Sequence, residues 1–250
     1  MPFTFAHPAI VLPAYKFKNK WICFTALVIG TMVPDFEYFL RFAPYGIIGH
    51  TLIGFLYLNI PLTFIIAFAW HNIIKEPLIS SLPRKVISFF GHIPYKKFHI
   101  KNFKSLIIFI YSAVIGMATH VIWDGFTHKT GFFVNEINFL RKTIAIYSYE
   151  VPVYKFIQHG STLIGGICII LCLYKYRKKN YRILNRYSTK KKFAYWSSII
   201  SLTLAIYSYR IFLILNIISL KSYGVLIVSL ISSFLLAVFF ISLIYKKIRS

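Results

Sequence analysis

The chain has 250 residues, 58% of them hydrophobic, with a mean hydropathy of +0.66. Soluble domains run at about 45–50% apolar residues, so much of this surface is meant for lipid. Lys and Arg number 29 against 6 Asp and Glu, a formal charge of +23. This charge sits in short blocks between apolar runs, with no basic groove or reader motif. That excludes a nucleic-acid-binding domain and fits loops that obey the positive-inside rule and meet anionic lipid.

Along the chain, Pro2–Tyr15 is apolar but too short to span and is broken by Pro8 and Pro13, so it reads as a re-entrant or interfacial piece. Its apolar character ahead of the first Lys reverses the order of a cleaved signal peptide. Lys16, Lys18 and Lys20 then precede Trp21–Val33, which behaves as an uncleaved anchor. A membrane helix needs about 20 mostly apolar residues. Six runs qualify, near 21–41, 47–73, 104–124, 156–175, 193–219 and 223–245. The predicted fold is therefore all-α, a polytopic membrane helical bundle of about six transmembrane helices. Pro34, Asp35 and Glu37 weaken the far end of the first run. Arg210 within the fifth reads as a snorkelling or structural residue. Cys23, Cys168 and Cys172 all lie in apolar stretches, none at C-x-x-C spacing, and read as packing residues.

Basic residues set the expected orientation. The blocks 75–104 and 175–192 are dense in Lys and Arg, and the C-terminus adds Lys246, Lys247 and Arg249. The other connections are poorer in them. Placing the dense blocks inside gives a consistent topology with both termini cytoplasmic. The expected organisation is a metal-site helical core at 1–174, a basic cytoplasmic loop at 175–192 and a C-terminal transmembrane hairpin at 193–250.

That topology brings the ionisable groups to one face. Asp35 and Glu37 end the first run, His50 opens the second, His120 and Asp124 close the third, His128 follows, and His159 opens the fourth. Ionisable groups at membrane depth are costly and are functional candidates by default. Residues 193–250 contain no His, Asp or Glu, which confines the chemistry to the first four runs. His120, Asp124 and His128 recur every four positions, a spacing that drifts only about 80° around a helix. Imidazole with carboxylate suits Zn²⁺, Mn²⁺ or Fe²⁺ better than Mg²⁺ or Ca²⁺. The competing readings are a proton relay or transporter and plain helix-to-helix hydrogen bonding. His71, His92 and His99 fall at the inside block and read as loop or interfacial residues.

The opening Met1-Pro2-Phe3-Thr4-Phe5-Ala6-His7-Pro8-Ala9, the stretch Gly30-Thr31-Met32-Val33-Pro34-Asp35-Phe36-Glu37-Tyr38-Phe39 and Gly49-His50-Thr51-Leu52 resemble a bacterial membrane-protein family without an assigned function, domain of unknown function 4184. That family is similar to the YdjM-like, LexA-regulated, membrane-bound metal-dependent hydrolases, which share an early His, a Pro-Asp turn, a His-Ser/Thr pair and a late His-x-x-x-Asp. The likeness covers roughly residues 1–165. A more distant likeness is to zinc-dependent phospholipases C. It implies that Asp35, His50, His120 and Asp124 share a first metal, that His7 lies near a further one bridged by Asp124, and that His128 and His159 serve another. Leu163 stands where that pattern has a Glu ligand, and Glu37 where the YdjM-like pattern often has a second Asp, so two ions are expected rather than three.

The expected function is a metal-dependent hydrolase at the membrane–water interface, acting on a lipid-linked phosphoester. Asp35 serves as ligand and catalytic carboxylate, and Glu37 as general base or bridging ligand. Glu136 and Glu150 read as solvated loop residues, and Thr51, Thr119, Thr127 and Ser161 as supports for imidazole tautomers. Membrane lipid is the expected partner. A transporter of metal ions or protons and a structural protein with a metal tie are the alternatives.

Overall fold

The computed structural model describes residues 3–17, 21–90, 97–177, 187–215 and 223–248. Lys18, Lys20, His92, Lys96, residues 178–186 of the basic block, and Arg249 lie outside the described residues. The chain is 79% helical with almost no sheet, which makes it an all-α protein. Among the described residues, four helices are long and apolar enough to cross a membrane: α3 (Leu52–Ser81), α5 (Phe103–Thr127, within a longer apolar stretch), α8 (Val153–Lys175) and α10 (Tyr223–Lys247). Only 11% of the α8 span is buried by the rest of the chain, and Leu163, Ile164, Ile167, Ile170 and Leu171 are exposed along it. An apolar face of that extent is stable against lipid, not water. The chain is a membrane protein.

The first predicted span departs from a continuous rod. It consists of α1 (Phe24–Gly30), a 3-10 turn at Val33–Asp35 and α2 (Phe36–Arg41). Pro34 is the physical reason, because it removes a backbone donor and disfavours helical geometry in the residue before it. The fifth predicted run begins inside α9 (Thr189–Ser208), which continues as a π-helical segment over Tyr209–Leu215 carrying Arg210. The prolines of the N-terminal piece have a similar effect: Thr4–Phe17 forms a 3-10 helix that buries Thr4, Ala6, His7, Pro8 and Val11. The connection after α5 holds two short helices, α6 (Phe132–Glu136) and α7 (Asn138–Arg141), then an antiparallel hairpin of β1 (Thr143–Ile146) and β2 (Tyr149–Pro152). Tyr147 supplies the positive φ of 53° at its turn.

The chain divides into two compact units that are discontinuous in sequence. One comprises Met1–Asp35, Ile48–Phe64 and Ile100–Cys172, the other Phe36–Ile47, Ile65–His99 and Leu173–Ser250. In the first, α1 crosses α5 so closely that neither crossing glycine has room for a side chain. A Cβ on Gly30 would lie 2.3 Å from the Ala113 carbonyl oxygen, and one on Gly116 2.4 Å from that of Leu27. Cys23 N–H donates to Ser112 Oγ at 3.0 Å, so α5 caps the start of α1. Close approach through small residues is how helices associate where lipid removes the hydrophobic drive.

In the second unit, α9 and α10 pack through Tyr195, Ile199, Ala237, Val238 and Ile241. Buried Tyr195 Oη and Ser242 Oγ share a hydrogen bond of 2.7 Å. The last carbonyls of α3 have no helical donors and are met from α9, where Trp196 Nε1 donates to Ser81 O and Lys192 Nζ to Leu82 O. Ser229 on α10 donates to the carbonyl of Phe42, and the Arg210 guanidinium lies 5.7 Å from the centre of the Phe42 ring.

Gly116→Ala forces the α1–α5 crossing apart and should destabilise the detergent-solubilised protein by about 1–3 kcal/mol. Gly166→Ala in α8, where a Cβ meets nothing within 4 Å, should be neutral or gain up to about 1 kcal/mol of helix propensity. Thermal unfolding of both variants checks the contrast.

Candidate metal centre

The α1–α5 crossing sets the site. α1 ends at Thr31, whose hydroxyl turns back to Val28 O at 2.7 Å, and the chain then tightens into the Val33–Asp35 turn. The Thr31 carbonyl accepts a hydrogen bond of 2.8 Å from His120 Nδ1 on α5, one turn beyond Gly116. A carbonyl accepts only, so the proton is on Nδ1 and the Nε2 lone pair of His120 is directed to the other side. Asp124 lies a further turn along the same face. The N-terminal 3-10 helix is pinned to α8, with Phe3 N–H donating to Thr162 Oγ1 and Ala6 fitted against Gly165. That placement lets Thr4 Oγ1 donate to Asp35 Oδ2 at 2.7 Å and stacks His7 on His120 at 4.0 Å between ring centres.

His50 comes from the loop before α3. Thr51 caps that helix, accepting from Gly54 N–H at 3.0 Å. Buried Asn59, within a π turn over Phe55–Asn59, donates to Gly49 O at 2.7 Å. Gly54 is required there, because a Cβ would lie 1.8 Å from Ile48 O. π turns of this kind are frequent at functional sites because they re-aim a side chain without ending the helix.

These elements bring four groups together. His50 Nε2 and His120 Nε2 are 3.3 Å apart. His50 Nε2 lies 3.4 Å from Asp35 Oδ1 and 3.6 Å from Asp124 Oδ2; His120 Nε2 lies 3.4 Å from each of the same two oxygens. Asp35 and His120 are fully buried, and Asp124 nearly so. The ligand atoms of all four residues fall within 4.8 Å of one another.

The arrangement fits a divalent cation on three counts. Zinc bonds to nitrogen and oxygen run at about 2.0–2.1 Å, which gives a tetrahedron with edges of about 3.3–3.4 Å. The five separations above run from 3.3 to 3.6 Å. Asp35 Oδ1 is buried and accepts no hydrogen bond among the described residues. Two carboxylates in an apolar bundle also need a positive partner, since an uncompensated buried charge costs several kcal/mol.

Beside this cluster, His7 Nε2 lies 3.6 Å from Asp124 Oδ1, and both atoms are buried without a hydrogen-bond partner among the described residues. Burial, and then the neighbouring His120, lower the pKa of His7 to about 4, which keeps its imidazole in the neutral, metal-binding form. His128 Nδ1 lies 3.6 Å from Asp124 Oδ2 but also 3.0 Å from the Asp124 carbonyl and 3.2 Å from Thr127 Oγ1. His159 is exposed on α8 and is not gathered into the four-residue cluster.

Glu37 is buried in the other unit. Its Oε1 accepts from Arg41 Nε and from the Ile47 backbone N–H, both at 2.9 Å. Glu136 and Glu150 are exposed. Of the expected supports, Thr127 reaches His128 and Thr51 caps α3, whereas Thr119 and Ser161 bond to the backbone of their own helices. The residues that do steady the site, Thr4, the Thr31 carbonyl and Asn59, carry no ligand-type signature and escape sequence reasoning.

The fold and the cluster define an all-α membrane protein with a buried His/Asp group suited to a metal ion. The chain belongs to the family described as a domain of unknown function (DUF4184), whose model matches residues 1–247. No curated protein and no solved structure matches it. The likeness to YdjM-like hydrolases therefore rests on the residue pattern alone.

Asn59→Ala releases the Gly49 carbonyl and loosens His50. It should weaken metal affinity about 10–100-fold while the helical content by circular dichroism stays intact. Competition against a chromophoric chelator measures the change, and an unchanged affinity would show that Asn59 does not position His50.

Proposed function

We propose that the protein is a membrane-bound metal-dependent hydrolase acting on lipid-linked phosphoesters. The observation that carries this reading is the convergence of His50 Nε2, His120 Nε2, Asp35 Oδ1 and Asp124 Oδ2, all within 4.8 Å of one another, in a chain that spans the membrane. His50, His120, Asp35 and Asp124 would hold a divalent ion, which would supply Lewis-acid polarisation of a phosphoryl oxygen and a bound water with its pKa brought down towards 7. Zn²⁺ fits the donor set best, with Mn²⁺ or Fe²⁺ as the other candidates. The six-span topology and the placement of this cluster at the outer interface of a bacterial inner membrane belong to the same reading.

Each residue then has a task. Asp35, braced by Thr4, and Asp124 supply the negative charge that holds the ion, and Asp35 takes a proton from attacking water only if its Oδ2 leaves the Thr4 hydroxyl. His120 is fixed as a neutral donor by Thr31. His50, whose side chain is 29% exposed, faces the side on which substrate approaches. His7 and Asp124 Oδ1 would hold a second ion. His128 and His159 complete its surroundings only if their side chains turn towards it. Glu37 has the base role only if it leaves its bonds to Arg41 and Ile47, so we assign it first to bracing the segment that leads into His50.

A second reading has an observation of its own. Four protein ligands make a closed shell, the habit of structural zinc rather than catalytic zinc. In that case the ion ties α1, α5 and the His50 loop together and no chemistry follows.

Protein purified in mild detergent should carry one or two divalent ions per chain. His120→Ala and Asp124→Ala should each lose the first ion, and His7→Ala only the second, by elemental analysis. Hydrolysis across a panel of lipid-linked phosphoesters should stop on chelation and return with Zn²⁺, Mn²⁺ or Fe²⁺. Full metal content in both His120→Ala and Asp124→Ala would sink the site. Tightly held metal with no turnover would sink the hydrolase and leave the structural tie.

A further inference from the structure

The second unit contains a cluster that the proposed hydrolase does not use. The π turn at Trp70–Ile74 in α3 carries His71 and Asn72. Together with Lys75, Glu76, Lys97 and Lys246 they line a cavity of about 90 Å³. That volume is several times the ~10–15 Å³ needed to admit one water, and too small for an acyl chain.

Three lysines line this cavity against one carboxylate residue. Lys75 is 1% exposed, and its Nζ lies 2.9 Å from His71 Nδ1. A lysine ammonium has no acceptor capacity, so Nδ1 accepts the proton and His71 stays neutral, adding no negative charge. Lys246, in the last turn of α10, donates to the carbonyl of Asn72. Asn72 Nδ2 in turn donates to Phe98 O at 3.4 Å, and the Phe98 ring stacks on His71, which brings the neighbouring Lys97 to the same cavity. Glu76 offsets one of the three lysine charges that line the cavity. The remaining charge calls for an anion with several acceptor oxygens.

We infer that this cavity is a binding site for a phosphate group, presented by an anionic phospholipid headgroup or as free phosphate. In a span that ends at Lys246 and Lys247, as α10 does, this cavity falls at headgroup depth. The inference is independent of the metal centre.

The test uses the full-length protein in a zwitterionic detergent. Its thermal stability and direct binding are followed with phosphatidylglycerol, with inorganic phosphate, and with phosphatidylcholine or chloride at matched ionic strength as controls. Lys97→Gln and Lys246→Gln should each weaken phosphate-group binding roughly tenfold or more, because each removes a charged hydrogen-bond donor. The exposed pair Lys101→Gln/Lys104→Gln tests for general basic attraction and should leave binding unchanged. Binding of phosphatidylglycerol alone identifies the lipid as the source, binding of inorganic phosphate alone identifies the free anion, and both results support the site. Binding of neither above the controls would overturn it. So would equal losses in the Lys101→Gln/Lys104→Gln pair, or unaltered binding in Lys97→Gln and Lys246→Gln. Metal content should stay at the wild-type level in all of these variants, which separates this site from the centre around His120.

Discussion

Asp35 is a carboxylate with no exposed surface in a protein whose surroundings are largely hydrocarbon. A charge so placed is tolerated only if its environment is built to oppose it. Much of the first unit can be understood as that environment. The Pro34 turn sets Asp35 at the end of α1, the prolines of the 3-10 helix bring Thr4 and His7 over it, and the glycine crossing brings His120 and Asp124 against it. If any of these approaches opened by an ångström, the carboxylate would face apolar atoms instead of donors.

The same economy explains why small and secondary-structure-breaking residues are concentrated in this unit. Gly30, Gly116, Gly54 and Gly165 all sit where a Cβ would strike a backbone carbonyl. Each is within two turns of a residue that contributes to, or steadies, the cluster. Backbone proximity here replaces apolar side-chain packing, which in a membrane offers little driving force.

How far the sequence could be read depended on which part of the structure a residue's chemistry determines. The spans near 104–124, 156–175 and 223–245 are legible because length and hydropathy alone dictate a membrane helix, and they appear as α5, α8 and α10. His120 and Asp124 are legible because an i, i+4 pair shares a face on any helix. Asp35 and His50 are legible only through the topology that brings distant ends together. Hydropathy predicts the first span as one rod, but it carries no information on chain direction, and Pro34 makes there the turn that aims Asp35. The hairpin at Thr143–Pro152 is short, and β1 is exposed along its length, so no buried alternation announces it. The supporting role of the Thr31 carbonyl leaves no trace in residue type at all, since every residue has one.

His50 differs from its three neighbours in one respect. Asp35, His120 and Asp124 are anchored in a tight turn and a long helix, whereas His50 hangs from a loop secured by Asn59 and the Thr51 cap, with part of its side chain open. Affinity at such a centre and the speed of exchange are therefore governed by different parts of the molecule. The buried trio sets how tightly an ion is held at equilibrium. The opening frequency of the His50 loop sets how soon it can be captured or surrendered, so loop substitutions would change residence time far more than they change occupancy.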